Sequence, residues 1–119
     1  MRSGPQFHFD EYQLWLDARD LAVECAAIGR QLEQRGCRSM AAWARRFGAR
    51  PAALLAESFE CSGSIAHRRC IAAAWAATRV LSDAFAGSFQ IEPVEDLEWA
   101  AELAVRIEAG LSRVLRGRA

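Results

Sequence analysis

Residues 14–32 read LWLDARDLAVECAAIGRQL, and this stretch decides the fold. Its apolar positions alternate spacings of four and three residues, which places them on one stripe of an α-helix and is typical of a helix in a bundle. Asp10, followed three residues later by Gln13, fits a capping box at the start, and Gly36 follows the end. We therefore predict a first helix over about 10–34. Its buried stripe is Leu14, Ala18, Leu21, Cys25, Ile28 and Leu32.

A second helix is predicted over about 39–60, with Ser39 as a suitable N-cap. Gly48 and Pro51 lie inside it. Because an interior proline lacks an N–H group and clashes with the preceding turn, at about 3 kcal/mol, we expect a kink near 47–51 rather than two separate helices. The predicted buried side holds Met40, Ala44, Phe47, Leu54, Leu55 and Phe59.

The third predicted helix, over about 64–86, is apolar on more than one side. One stripe consists of Ile71, Ala74, Leu81 and Phe85, and the next of Cys70, Ala73, Ala77, Val80 and Ala84. Trp75 lies beside them. Since no helix of a four-helix monomer is fully surrounded, this surplus of apolar surface predicts a second partner surface.

The fourth predicted helix spans about 93–115, with Pro93 at its first position. Bundle spacing continues through Val94, Leu97, Ala100, Ala104, Ile107, Leu111 and Val114. Four helices of similar length joined by short connections predict an all-α fold, an up-down-up-down antiparallel four-helix bundle that forms one domain over residues 1–119.

Composition agrees with this fold class. The chain has 119 residues, 24 of them alanine, and 52% are hydrophobic, which excludes disorder and favours helices. The first residues contain no apolar signal segment, and the longest apolar run, Cys70 to Ala77, is too short to cross a membrane. We therefore expect a cytoplasmic protein with no membrane partner.

Charge is separated along the chain although it sums to zero. All fifteen basic residues are arginines, and the net charge is −3 over residues 1–34, +6 over 35–82 and −3 over 83–119. One interpretation is that basic and acidic helices pair with each other, within the bundle or between copies. The other is an arginine surface that grips phosphate, formed by Arg45, Arg46, Arg50, Arg68 and Arg69.

The sequence offers little for catalysis or metal binding. The four cysteines form no Cys-x-x-Cys pair, and we expect reduced thiols. A metal site using Cys61, His67 and Cys70 is a minor alternative because a fourth ligand is missing. No helix carries the Glu-x-x-His motif of di-iron bundles. We therefore predict no catalytic residues, no metal and no cofactor, and a protein that is not an enzyme.

The chain resembles the small four-helix bundle proteins encoded by intervening sequences within bacterial large-subunit ribosomal RNA genes, a family that includes the accessory variability determinant of diversity-generating retroelements. The resemblance lies in the opening YQLW of residues 12–15, an arginine pair before a proline, the run Leu55-Ala56-Glu57, and residues 69–81. It covers about 9–115. Where the family has polar residues, this chain is apolar, as at Leu54, Ala77 and Val80.

This resemblance implies a bundle that assembles as a cyclic homo-oligomer, with a homopentamer favoured, and that has no enzymatic activity. We therefore expect a non-enzymatic oligomeric scaffold or interaction module whose first partner is itself, with a further protein partner left open. The alternative function is binding of structured RNA or DNA through the arginine surface. The residues expected at the subunit interface are Trp43, Cys70, Ala73, Trp75, Ala77 and Val80.

Overall fold

The structure is a computed structural model that describes residues 9–88 and 97–117. Within these residues all regular secondary structure is helical, which confirms the predicted all-α class. A π-helical turn, Ala84–Ser88, directly follows the fourth α-helix. The α-helices are α1 (Phe9–Gln34), α2 (Arg38–Gly48), α3 (Arg50–Phe59), α4 (Ser64–Asp83) and α5 (Leu97–Gly117).

The helices pack as a bundle of four arms, in which α2 and α3 together form one arm. Both α1 and α4 pack against this arm and against α5. The molecule is 20 × 19 Å in cross-section, which is the width of two helices by two helices of about 10 Å each. None of the described helices is long and apolar enough to cross a membrane.

The stripe predicted for α1 forms one wall of the core. Its six residues, from Leu14 to Leu32, are all buried, as the alternating spacing indicates. Ile71, Ala74, Leu81 and Phe85 are buried in the same core. So are Ala100, Ala104, Ile107 and Leu111 of α5, while Leu97 and Val114 are partly buried. These parts of the sequence prediction are confirmed.

The second arm is divided at Ala49, between Gly48 and the α3 residues Arg50 and Pro51. The interruption falls where the kink was predicted. However, α2 and α3 are two separate helices rather than one kinked helix. Ala49 keeps a right-handed helical backbone, so α3 follows α2 without a long loop. The cause is Pro51, which cannot donate the backbone hydrogen bond that would continue the helix.

The prediction for the core face of this arm is confirmed at Ala44 and Leu55 and is wrong elsewhere. Phe59 is 40% exposed, and Met40, Phe47 and Leu54 are only partly buried. The buried positions keep alternating spacings of three and four straight through the break, and most carry small side chains: Ala41, Ala44, Gly48, Pro51, Leu55 and Ser58. At Gly48 a larger side chain would not fit, because α1 lies too close there.

Gly48 shows how close the two helices are. A Cβ atom built on this glycine would lie 2.7 Å from Sγ of Cys25 on α1. The same occurs at Gly110 on α5, where a Cβ would lie 2.5 Å from Cδ2 of Leu14. Glycine at these two positions lets α1 approach both of its neighbours.

The predicted helix ends need three corrections. Ser39 lies inside α2, since the residue before the helix is Cys37, which makes no side-chain capping bond. The side chain of Gln13 donates to Oδ1 of Asp17, one turn ahead, rather than reaching back to Asp10. The third helix, predicted to end near residue 86, ends at Asp83 and continues as the π turn. This turn buries two consecutive residues, Ala84 and Phe85, in the core. The predicted start of the fourth helix at Pro93 lies outside the described residues.

Candidate functional site at one end of the bundle

Four helix ends meet at one end of the bundle, and polar groups are concentrated there. The first turns of α1 and α4 are joined by a bond between Glu11 and His67. The end of α5 joins them through Arg68, whose Nη2 donates to the carbonyl oxygen of Leu115 at 2.9 Å. The end of α3 joins through Cys61. We call this region the polar end of the bundle.

Glu11 and His67 form the central contact of the polar end. Oε1 of Glu11 lies 2.8 Å from Nε2 of His67. The glutamate is 1% exposed, and the histidine ring is half-buried. A buried carboxylate is costly unless it is hydrogen-bonded, so this contact stabilises the placement of Glu11.

The contact between His67 and Glu11 was not predicted from the sequence. The missed signal is the position of the two residues on their helices. Glu11 lies three residues before Leu14 and so continues the buried stripe of α1, while His67 lies four residues before Ile71 and continues that of α4. Two polar residues at the ends of two core stripes are candidates for pairing with each other.

A pair of thiols lies at the same end. Sγ of Cys61, just after α3, is 3.8 Å from Sγ of Cys70 on α4. Both cysteines are half-buried and neither is in a disulfide. Loss of hydration, together with the neighbouring Cys61 and the charge of Glu57, raises the pKa of the Cys70 thiol to about 11. Sequence spacing alone did not predict this contact.

The residues of the minor metal alternative do not converge. Nε2 of His67 is bonded to Glu11, while Cys61 and Cys70 face each other. Among the described residues, no three His, Cys, Asp or Glu side chains form a group that could hold a metal ion. The polar end is therefore a set of pairwise contacts.

An aromatic cluster adjoins the polar end, on the surface between α1 and α3. The ring of Trp15 lies 5.7 Å from that of Tyr12 and 6.4 Å, edge to face, from that of Phe59. The guanidinium of Arg19 lies 5.0 Å from the Trp15 ring. Phe59, which was predicted to be in the core, instead packs edge to face on the half-buried ring of Trp15.

The five arginines of the alternative phosphate-binding interpretation fall into two groups. Arg68 and Arg69 lie in the second turn of α4, at the level of Glu11. Nη2 of Arg45 is 2.8 Å from Oε1 of Glu33, near the other end of α1. Glu11 and Glu33 are separated by about 33 Å along α1, at 1.5 Å per residue.

The remaining two arginines belong to the second arm. The guanidinium of Arg46 stacks 5.5 Å from the Phe47 ring, and Arg50 is the exposed first residue of α3. The hydrogen bond and charge of Arg45 hold the pKa of Glu33 below its ordinary value. The structure therefore spreads these arginines along the bundle, with Arg45 and Arg68 already engaged in contacts.

The predicted interface residues differ in exposure. Val80 is 47% exposed, whereas Cys70, Ala73 and Ala77 are half-buried. The two tryptophans are half-buried and pack on the core. Trp43 stacks 5.0 Å from Phe47, and Trp75 is covered by the guanidinium of Arg79 at 5.4 Å. Val80 is thus the most exposed of the six.

Comparison of the chain with protein-family models, with curated proteins and with solved structures found no match. The resemblance to the intervening-sequence bundle proteins therefore stays a prediction from the motifs quoted above.

Proposed function

We propose that the protein is a non-enzymatic interaction module that assembles with copies of itself through the outward face of α4. The observation that carries the proposal is the character of this face. Ile65 is 71% exposed and Val80 is 47% exposed, and the exposed alanines Ala72 and Ala76 lie between them. Their spacings of seven, four and four residues place all four on one stripe.

The stripe lies opposite the buried face of α4. The buried face of α4 is formed by Ile71, Ala74, Thr78 and Leu81. Alanine on the outward side allows another helix to approach closely, while isoleucine and valine at the two ends add apolar area. This supports a helix of a second molecule as the occupant.

Charge favours the outward face of α5 as the complementary surface. No acidic residue occurs between Cys61 and Ser82, and α4 carries Arg68, Arg69 and Arg79. The outward face of α5 offers Val105, which is 60% exposed, beside the exposed carboxylates of Glu98 and Glu102. Apolar contact flanked by opposite charges is the arrangement expected of a specific interface.

A contact between α4 of one copy and α5 of the next uses two different surfaces, so it repeats from copy to copy and gives a ring where the rotation closes and a filament where it does not. We propose a cyclic homo-oligomer, and the family resemblance favours a homopentamer. Within each copy we propose the up-down-up-down antiparallel order. The short links after α1 (Arg35 to Cys37) and after α3 (Glu60 to Gly63) support it, because such links join neighbouring antiparallel helices.

The absence of enzymatic activity is part of the same proposal. The supporting feature is the engagement of the polar groups at the polar end, where His67 is held by Glu11 and Arg68 by a backbone carbonyl. A catalytic base needs a free position facing a substrate. These contacts instead tie four helix ends together.

Two valine substitutions test the interface with a matched control. Val80→Glu places a carboxylate within the outward stripe of α4 and is expected to reduce the particle mass measured by light scattering to that of a single chain. Val23→Glu, at an α1 position that is 65% exposed, is expected to leave the mass unchanged. Equal behaviour of the two variants would refute the α4 interface, and co-purifying nucleic acid in the wild type would favour the alternative function.

A further inference from the structure

The closest thiol contact in the described part of the chain joins the end of α3 to α4. Sγ of Cys61 and Sγ of Cys70 are 3.8 Å apart, and a disulfide requires about 2.05 Å. The sulfurs must therefore approach by about 1.8 Å. Cys61 belongs to the short link between the helices rather than to a helix, so this approach leaves both helices intact.

The link can adjust because few bonds hold the Cys61 side chain. Its Sγ also lies 3.5 Å from the carbonyl oxygen of Glu57, a weak contact for a thiol donor. Ser62 and Gly63, which follow, are exposed. Both thiols are half-buried, so a small oxidant can reach them from solvent.

The other two cysteines lie in different surroundings. Cys25 is fully buried against Gly48, and burial, with a smaller effect of Glu24, raises the pKa of its thiol to about 12. Cys37 precedes α2 and is separated from Cys61 by the whole α2–α3 arm. The molecule therefore contains one oxidisable pair and two internal controls.

We propose that Cys61 and Cys70 are a thiol–disulfide switch. A low-molecular-weight disulfide such as oxidised glutathione oxidises the two thiols to a reversible disulfide between Cys61 and Cys70. The Cys61 thiolate, after losing its proton to solvent, attacks one glutathione sulfur and releases one glutathione thiolate. The Cys70 thiolate then attacks Sγ of Cys61 and releases the second. Two protein thiols and one oxidised glutathione become one protein disulfide and two reduced glutathiones.

The order of the two attacks follows from the surroundings of Cys70. With a pKa of about 11, roughly one Cys70 thiol in a thousand is a thiolate at pH 8, so Cys70 is a poor first nucleophile. The main cause of the raised pKa of Cys70, loss of hydration, remains once Cys61 is a mixed disulfide, but the hydrogen bond and charge of Cys61 no longer oppose ionisation. The second attack is also intramolecular, at a sulfur that is already in contact.

Trypsin gives a direct assay on the full chain. Cleavage after arginine, except at the Arg50–Pro51 bond, puts the four cysteines on separate peptides, 20–30, 36–38, 47–68 and 70–79. After incubation of the reduced protein with oxidised glutathione at pH 8, we expect peptide 47–68 linked to peptide 70–79. The intact chain should lose two hydrogen atoms, and dithiothreitol should reverse the change.

Single variants test the order. Cys70→Ser should accumulate glutathione on peptide 47–68, Cys61→Ser should acquire it on peptide 70–79 more slowly, and Cys37→Ser should form the internal link like the wild type. The wild-type peptide map decides the question even if a variant fails to fold. A link to Cys37 or Cys25, a disulfide between two chains, stable glutathione adducts on both thiols, or unchanged thiols would each overturn the proposal.

Discussion

The hydrogen bond between Glu11 and His67 spans the diagonal of the bundle, from α1 to α4. These two helices otherwise pack on common neighbours rather than on each other. The 2.8 Å contact lies at the end of both core stripes, where Glu11 is buried. It therefore fixes the relative position of two helices that do not pack together.

Removal of the histidine is expected to destabilise the fold. His67→Ala leaves the Glu11 carboxylate without this partner, and we expect the free energy of unfolding to fall by about 2 kcal/mol. Urea denaturation of the two single variants Glu11→Gln and His67→Ala and of the double variant measures the coupling. Ser64→Ala, an exposed change in the same turn of α4, should alter stability by less than about 0.5 kcal/mol. Additive effects of the two substitutions would show that the pair is not coupled.

The contact between α1 and α2 makes a second prediction. Gly48→Ala should lower the free energy of unfolding by about 1–3 kcal/mol, because the new methyl group overlaps Cys25. Helix propensity alone would predict a gain of about 1 kcal/mol. Gly117→Ala is the matched control, since its added Cβ meets no atom within 4 Å. If Gly48→Ala and Gly117→Ala were both at least as stable as the wild type, the close approach of α1 and α2 would be wrong.

The buried thiol of Cys25 predicts an alkaline loss of stability. Its pKa is raised by burial to about 12, above an unfolded value of about 8.5. The stabilisation is therefore complete below about pH 8.5 and is lost as pH rises toward 12, by at most about 1.4 kcal/mol per pH unit. Denaturant titrations of wild type and Cys25→Ala between pH 8 and pH 10 give the difference. Parallel pH profiles would contradict the burial of Cys25.

Oxidation of the thiol pair should stabilise the fold. A disulfide between Cys61 and Cys70 closes a loop of ten residues, for which loop entropy gives about 2.7 kcal/mol. Thermal unfolding of the oxidised and reduced chain measures this difference, and Cys61→Ser treated in the same way should show none. A lower melting temperature after internal oxidation would mean that the link strains the end of α3.

The sequence predicted the six-residue apolar stripe of α1 because these side chains follow a regular spacing of four and three, but it missed the buried Glu11 and Asp17. It failed on the second arm because the buried stripe there consists largely of Ala41, Ala44, Gly48 and Ser58, which differ little from surface residues in hydropathy. The more hydrophobic Phe47 and Phe59 drew the prediction to the wrong face. Only the close approach of α1 explains why small side chains occupy the core at this contact.

The polar end shows a similar division between local and tertiary information. The positions of Glu11 and His67 on the core stripes could be read from spacing. Their pairing depends on a diagonal contact, which no local pattern specifies. Likewise, the approach of Cys61 to Cys70 depends on the path of the link between α3 and α4, and the separation of Arg45 from Arg68 depends on the direction of each helix.

The central claim is that this bundle assembles with copies of itself. Sedimentation equilibrium of the purified chain over a hundredfold range of concentration, with the nucleic-acid absorbance ratio of the same sample, tests it most directly. We predict a closed species near 66 kDa, five times the 13.2 kDa chain, with the absorbance ratio of pure protein. A single species of 13.2 kDa at every concentration would contradict the account.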